Sequence, residues 1–286
     1  MISDITLGQF FPGYSSLHKL DPRTKIILAV LFIVAVFLVN NPVGYLCLIL
    51  ITAYMIAISR ISAGVILRGV RPIVLIIVLT SLLNVFLTKG EGEPLISWWI
   101  VNIYTEGIIR ALTMAMRVII LIIGSSMLLT YTTSPIALTD GLESLLSPLK
   151  VLKLPVHSFA MMMSIALRFI PTLVEETEKI MNAQKSRGAD FTSGGLLKRA
   201  KALIPILVPL FVSSFKRADE LATAMECRCY RGDKNRTKLV KLQYRMRDFI
   251  WILAFIILLA GVVCLRIFPY KFNVESLIYS ILFYRL

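Results

Sequence analysis

Histidine occurs only twice and cysteine only four times in these 286 residues, and neither is placed to do chemistry. His18 and His157 lie far apart, without acidic or cysteine company at ligand spacing, so no metal site is expected from them. Cys47, Cys227, Cys229 and Cys264 are split between apolar runs and one short pair, which is no disulfide framework. No G-x-x-x-x-G-K-S/T sequence occurs, so the chain has no loop of its own to cradle nucleotide phosphates, and hydrolysis of ATP by this chain alone is not expected. The opening MISDITLGQF has no basic start, central apolar run or small-residue cleavage site, so the first apolar run is expected to be retained rather than removed with a signal peptide. Acidic residues are scarce, 17 against 31 lysines and arginines. The Asp-rich motifs of a lipid-phosphate transferase are missing.

What is present in excess is apolar surface. Hydrophobic residues make up 57% of the chain and its mean hydropathy is +0.78, more than a single water-soluble core of this size can hide. The expected class is an all-α integral membrane protein. Apolar runs at 26–39, 43–58, 72–87, 107–130 and 249–265 give five membrane helices, with Asn40-Asn41-Pro42 as a turn between the first two. The net charge of +14 is read as the lysines and arginines of inside-facing loops rather than as a nucleic-acid surface. Lys19, Arg23 and Lys25 place the N-terminus in the cytoplasm, and Arg60, Arg68 and Arg71 place the second connection there too. The third, TKGEGEPLISWWIVNIYTEG, is acidic and aromatic and belongs outside.

Residues 131–247 hold 19 of the 31 lysines and arginines, yet apolar pieces such as HSFAMMMSIALRFIP and LLKRAKALIPILVPLFV run through them. Long amphipathic helices on or just under the bilayer fit that mixture. The expected organisation is therefore membrane helices in 1–130, a cytoplasmic helical region in 131–247, and a last membrane helix with its tail in 248–286. From Pro171, Leu173, Val174, Thr177, Ile180, Met181 and Gln184 share one helical face, with Glu175, Glu176, Glu178, Lys179 and Lys185 elsewhere. From Pro209, Leu210, Phe211, Ser214, Ala218, Leu221, Ala222 and Met225 do the same, against Lys216, Arg217, Asp219, Glu220 and Glu226. The first helix is expected to stop near Gly188, in AQKSRGAD, and the second in ECRCYRGD. Each thus ends on an arginine between two small residues, the second helix being about three residues longer.

Cys227 and Cys229 offer half of a soft-metal site only in composition. Two residues of helical spacing point them about 200° apart, no other Cys or His is near, and Arg228 would repel a cation. They are read as small packing residues. Arg187 and Arg228 have two readings: caps of their own helix carbonyls or contacts to lipid phosphate, or guanidinium groups that enter a groove on another protein and grip carboxylates there. Arg110 and Arg117, seven residues apart inside the fourth apolar run, also keep two readings, pairing within the bundle and snorkelling at its edge.

Four ordered blocks, LHKLDPRTK (17–25), TTSPIALTDGLESLLSPLK (132–150), LRFIPTLVEETEKIMNAQKSRGAD (167–190) and RADELATAMECRCYRG (217–232), carry a family resemblance. The chain resembles the T component, the membrane scaffold, of the energy-coupling factor (ECF) transporters, a family that includes the CbiQ-like proteins. The resemblance implies cytoplasmic coupling helices ending in arginine motifs, carried over as Ser186-Arg187-Gly188 and Cys227-Arg228-Cys229, each docking on one of two ABC-type ATPase subunits that bind ATP and Mg. It further implies a small membrane-embedded substrate-binding S component as partner, vitamin or micronutrient uptake across a bacterial cell membrane, and no catalysis or cofactor in this chain. Cys229 stands where that family usually has Gly, so helix termination is expected to shift to Gly232. The competing class is an integral membrane enzyme acting on lipid or prenyl substrates. It needs acidic metal ligands at the membrane surface, whereas the acids here are spread along amphipathic faces.

Overall fold

Asp21-Pro22 starts the first helix, because the carboxylate of Asp21 accepts from the Arg23 amide at 2.9 Å and proline has no amide to lose at the first helical position. The computed structural model describes residues 10–88, 96–98, 101–152, 155–189, 191, 195–230, 232 and 242–267. Its helices are α1 (Pro22–Leu38), α2 (Pro42–Ser59), α3 (Ala63–Leu87), α4 (Thr105–Ser125), α5 (Pro135–Leu146), α6 (Val156–Ser186), α7 (Leu196–Cys227) and α8 (Met246–Ile267). A π-helical turn, Ser126–Tyr131, extends α4, and a 3-10 helix, Ser147–Leu152, follows α5. Two three-residue strands, β1 (Ile96–Trp98) and β2 (Val101–Ile103), pair antiparallel with Trp98 opposite Val101, a detail the sequence reading does not anticipate.

The chain divides into two compact units, one built on residues 8–141 and 242–286 and the other on residues 142–241. In the first, α1 is the hub, packed against α4, α8 and the π-helical turn. Leu28, Phe32 and Val36 of α1 are fully buried, with Leu48 of α2, Leu128 of the π turn and Phe255 of α8 in the same cluster. A helix apolar on every side belongs in such a centre. α3 is the opposite case: of its 25 residues only Ile66 and Ile77 are buried, and Leu75, Val78, Leu79 and Leu82 are exposed. Such a face is stable in hydrocarbon and costly in water.

Polar groups fasten this unit at its ends. Lys25, 2% exposed, donates from Nζ to the Thr132 carbonyl at 2.7 Å and to the His18 carbonyl at 3.3 Å. Asp248, 1% exposed, accepts from the Asp21 amide at 2.9 Å and the Arg245 amide at 2.7 Å. The LHKLDPRTK block therefore ties the start of α1 to the start of α8 and to the chain just after the π turn. Its Leu17 and Leu20 are buried beneath. At the other end of α1, Arg117 donates from Nη2 to the Val39 carbonyl at 2.9 Å and from Nε to the Tyr45 hydroxyl at 3.1 Å. Arg117 thus satisfies a helix-end carbonyl inside the bundle, while Arg110 lies exposed beside Leu83, Asn84, Leu87 and Thr88.

Among the described residues five helices are long and apolar enough to cross a membrane: α2, α3, α4 with its π turn, α6 and α8. Four of them coincide with expected runs, but α6 stands in the place of the run at 26–39. That run forms α1, 17 residues or about 26 Å long, just under the usual span. α6 qualifies through its half before Pro171, the stretch assigned by sequence to the cytoplasmic region. Helices α6 and α7 also begin earlier than expected, at Val156 and Leu196, and run through Pro171, Pro205 and Pro209. Proline costs a helix one hydrogen bond and crowds the preceding turn, but long helices with many remaining bonds tolerate it, as α3 does at Pro72. The acidic third connection beyond Thr88 lies largely outside the described residues, as does the tail from 268 onward with the question of a further membrane segment there.

Candidate docking site at the ends of two long helices

Helix α6 is 31 residues long and α7 is 32, and the two pack on each other. On α6 the packed stripe is the expected one, Leu173, Val174, Thr177, Ile180, Met181 and Gln184 all being partly covered. On α7 the covered positions are Ile206, Leu210, Ser213, Ser214, Arg217, Leu221 and Met225, so Phe211, Ala218 and Ala222 of the expected stripe are exposed instead. Glu176 and Arg217, both expected off the apolar stripes, sit in the contact. Arg217 Nη2 lies 2.9 Å from Glu176 Oε2, and the Ser213 hydroxyl donates to Glu176 Oε1. Pairing lets the two charges leave water together, which an unpaired charge could not do cheaply.

Both helices stop in the same way. Beyond Ser186, the Gly188 amide donates to the Lys185 carbonyl at 2.9 Å and the Ala189 amide to the Gln184 carbonyl at 3.0 Å. Beyond Cys227, the Cys229 amide donates to the Glu226 carbonyl at 2.8 Å and the Tyr230 amide to the Met225 carbonyl at 3.1 Å. Each is a Schellman cap, whose first residue past the cap must be left-handed. Gly188 has φ +87° and Cys229 has φ +57°. The expected shift of termination to Gly232 does not occur: Cys229 adopts the left-handed conformation itself, because two helix-end hydrogen bonds depend on it. Gly232, at φ +75°, makes a separate turn.

Arg187 and Arg228 occupy the corresponding cap position in both helices, with φ −84° and −90°. Both side chains are exposed, and among the described residues neither carries an ion pair. Of their flanks, Ser186 bonds back to the Asn182 carbonyl at 3.1 Å, Gly188 has nothing within 4 Å of where a Cβ would stand, and Cys227 and Cys229 are free, exposed thiols. The result is two slim helix tips, each presenting one free guanidinium. Among the backbone groups of these ends, the amides of Gly188, Ala189, Cys229 and Tyr230 are bonded to helix carbonyls, and a guanidinium so presented has two parallel donors with which to bind a carboxylate.

Among the described residues no group of three or more His, Cys, Asp and Glu is close enough to hold an ion. His157, read by sequence as lacking acidic company at ligand spacing, pairs at 2.9 Å with Glu143, both buried. They lie on different helices, with the 3-10 helix between them in sequence, so only the fold brings them together. For Glu176 and Arg217 neither helix alone signals the pairing, and their spacing gains meaning only once they meet. Each lies 11 residues before its motif arginine, about three helical turns.

Helices of this length and apolarity define a multi-pass membrane protein. The family model described as the CbiQ cobalt transport protein matches residues 13–239. The chain is 52% identical over 267 residues to the energy-coupling factor transporter transmembrane protein EcfT of Clostridium kluyveri, covering 93% of this chain and 97% of that one. It is 55% identical over 248 residues to the protein of the same name from Ruminiclostridium cellulolyticum, 87% of this chain and 92% of that one. With the Bacillus subtilis protein, also so named, identity is 47% over 266 residues, 93% of this chain and all of the relative. The chain belongs to this family of ECF transporter transmembrane proteins.

Proposed function

We propose that this chain is the non-catalytic scaffold of an ECF-type vitamin or micronutrient uptake transporter of a bacterial cell membrane. In this reading Ser186-Arg187-Gly188 and Cys227-Arg228-Cys229 each dock on one of two ABC-type ATPase subunits, which bind the ATP and Mg that this chain does not. Closure of the ATPases moves α6 and α7, and these move a small substrate-binding S component in the lipid. Residues 1–130 and 248–286 form the membrane part, 131–247 the coupling region, and the N-terminus is cytoplasmic. The observation that supports this most is the pair of identical caps: two helices packed on each other end in the same hydrogen-bond pattern with an exposed arginine at the same place. A lipid contact would not require the two ends to match, whereas two similar partner grooves would.

The test is Arg187→Glu combined with Arg228→Glu. Reversing a charge that pairs in a partly buried groove costs about 3 to 5 kcal/mol, at least about a hundredfold in affinity. The double variant is expected to insert into membranes at the native level and to lose both ATPases on copurification. Recovery of the ATPases at native stoichiometry would refute the docking role.

A further inference from the structure

Measured from their prolines, the two arginine-tipped helices are unequal: Pro171 precedes Arg187 by 16 residues and Pro209 precedes Arg228 by 19. Measured from the contact between them they are equal. Glu176 to Arg187 is 11 residues and Arg217 to Arg228 is 11 residues, so each arm extends about 16 Å beyond the contact. Eleven residues turn a helix through about three full turns plus 20°. Each motif arginine therefore leaves its helix in nearly the same sector as the residue that makes the contact. The two arms match in length, in facing and in cap.

Apolar packing alone does not fix this. The stripes of Leu, Ile, Val and Met on α6 and α7 would pack nearly as well after a slip of one helical turn, 5.4 Å, because hydrophobic contact is non-directional. A slip would lengthen one arm relative to the other. The Glu176–Arg217 bond does not survive such a slip, since hydrogen bonds fail within a fraction of that distance. The side chains are 23% and 35% exposed, which leaves the pair weak as a source of stability but effective as a register mark, in the way a lone polar residue fixes the register of a coiled coil.

We propose that Glu176 and Arg217, with Ser213, are positioning residues that form the pivot of the coupling helices, fixing their register so that two partners act on levers of equal length. This rests on the docking role of Arg187 and Arg228. The test uses spin labels at positions 183 and 224, both alanine, both exposed and both seven residues beyond the pivot, carried on a genetically encoded ketone side chain in the full-length chain so that every native cysteine, Cys227 and Cys229 of the docking motif included, is kept. The label-to-label distance is measured by pulsed electron resonance in the complex with its ATPases, with and without ATP and Mg. The parent chain is expected to give one narrow peak that moves as a whole. Glu176→Gln and Arg217→Gln are each expected to broaden it at least twofold while the ATPases still copurify, and the exchange Glu176→Arg with Arg217→Glu is expected to restore the narrow peak.

Native width in both single variants would overturn the proposal, as would an exchange no narrower than the singles. Loss of the ATPases from the singles would also overturn it, since the pair would then serve docking. If the parent chain itself fails to hold ATPases, it is the docking role that falls. The same width comparison on the detergent-solubilised chain still decides the pivot.

Discussion

Gly188 and Cys229 offer a matched experiment in what a left-handed helix cap costs. At Gly188 a Cβ would meet nothing within 4 Å, so Gly188→Ala changes only the backbone preference. An L side chain in this conformation costs about 1 to 2 kcal/mol, of which about 0.4 to 1 kcal/mol is returned because alanine also restricts the unfolded chain. The net loss is about 1 kcal/mol, or about fivefold in the population of frayed ends at 1.4 kcal/mol per tenfold. Cys229→Gly should move the other end in the opposite direction by a similar or smaller amount. The reporters are the amides of Ala189 and Tyr230, which donate to Gln184 and Met225, followed by hydrogen exchange and corrected for intrinsic rates. Gly188→Ala is expected to speed exchange at Ala189 several-fold without touching Tyr230, and Cys229→Gly to slow Tyr230 without touching Ala189. An unchanged Ala189, or a faster Tyr230 in Cys229→Gly, would refute the reading of both ends as strain-dependent caps.

Two further outcomes follow from the membrane bundle. Gly124→Ala would drive a Cβ into the ring of the fully buried Phe32 and is expected to destabilise the bundle by about 1 to 3 kcal/mol, seen as a lower melting temperature in detergent, with Phe32→Leu partly rescuing it. His18, whose ring bonds the Ser15 hydroxyl and the Phe11 carbonyl, has its pKa pulled below the usual 6.5 by burial, aided by nearby Lys25 and opposed by the Phe11 bond. Its neutral form is the one the fold prefers, so its contribution is complete above about pH 6.5 and is lost as pH falls through its folded value. The melting temperature of the native chain should therefore fall more between pH 7.5 and 5.5 than that of His18→Gln.

The fold class, four of the five spans and both arginine motifs were legible in the sequence because each is written locally. A membrane helix must satisfy its own backbone and face lipid, so composition over about 20 residues suffices to mark it. A helix end is set by its last few residues, and AQKSRGAD and ECRCYRGD carry that information in plain order. The structure departs from these expectations where one residue's preference competes with the backbone hydrogen bonds of a whole helix end or helix. Cys229 was expected to yield its left-handed position to Gly232, and Pro171 and Pro209 to open helices rather than sit within them. In both cases more hydrogen bonds were at stake than the local preference is worth. Charged Glu176 and Arg217 are expected off the apolar stripes of their helices, and nothing in either helix alone says that the other will supply its partner.

The sequence by itself determined that this protein lives in a membrane, that two long helices end alike, and that arginine stands at each tip, since hydropathy, helical period and cap residues act over one or two turns. Only the tertiary structure decided which helix lies at the centre, which charges are buried together, and from where the two arms are measured. α1 is no more apolar in sequence than its neighbours, and the burial of Leu28, Phe32 and Val36 follows from α4, α8 and the π turn packing on that side of it. The equal reach of Arg187 and Arg228 is likewise invisible until α6 meets α7, because a lever has no length until its pivot is placed.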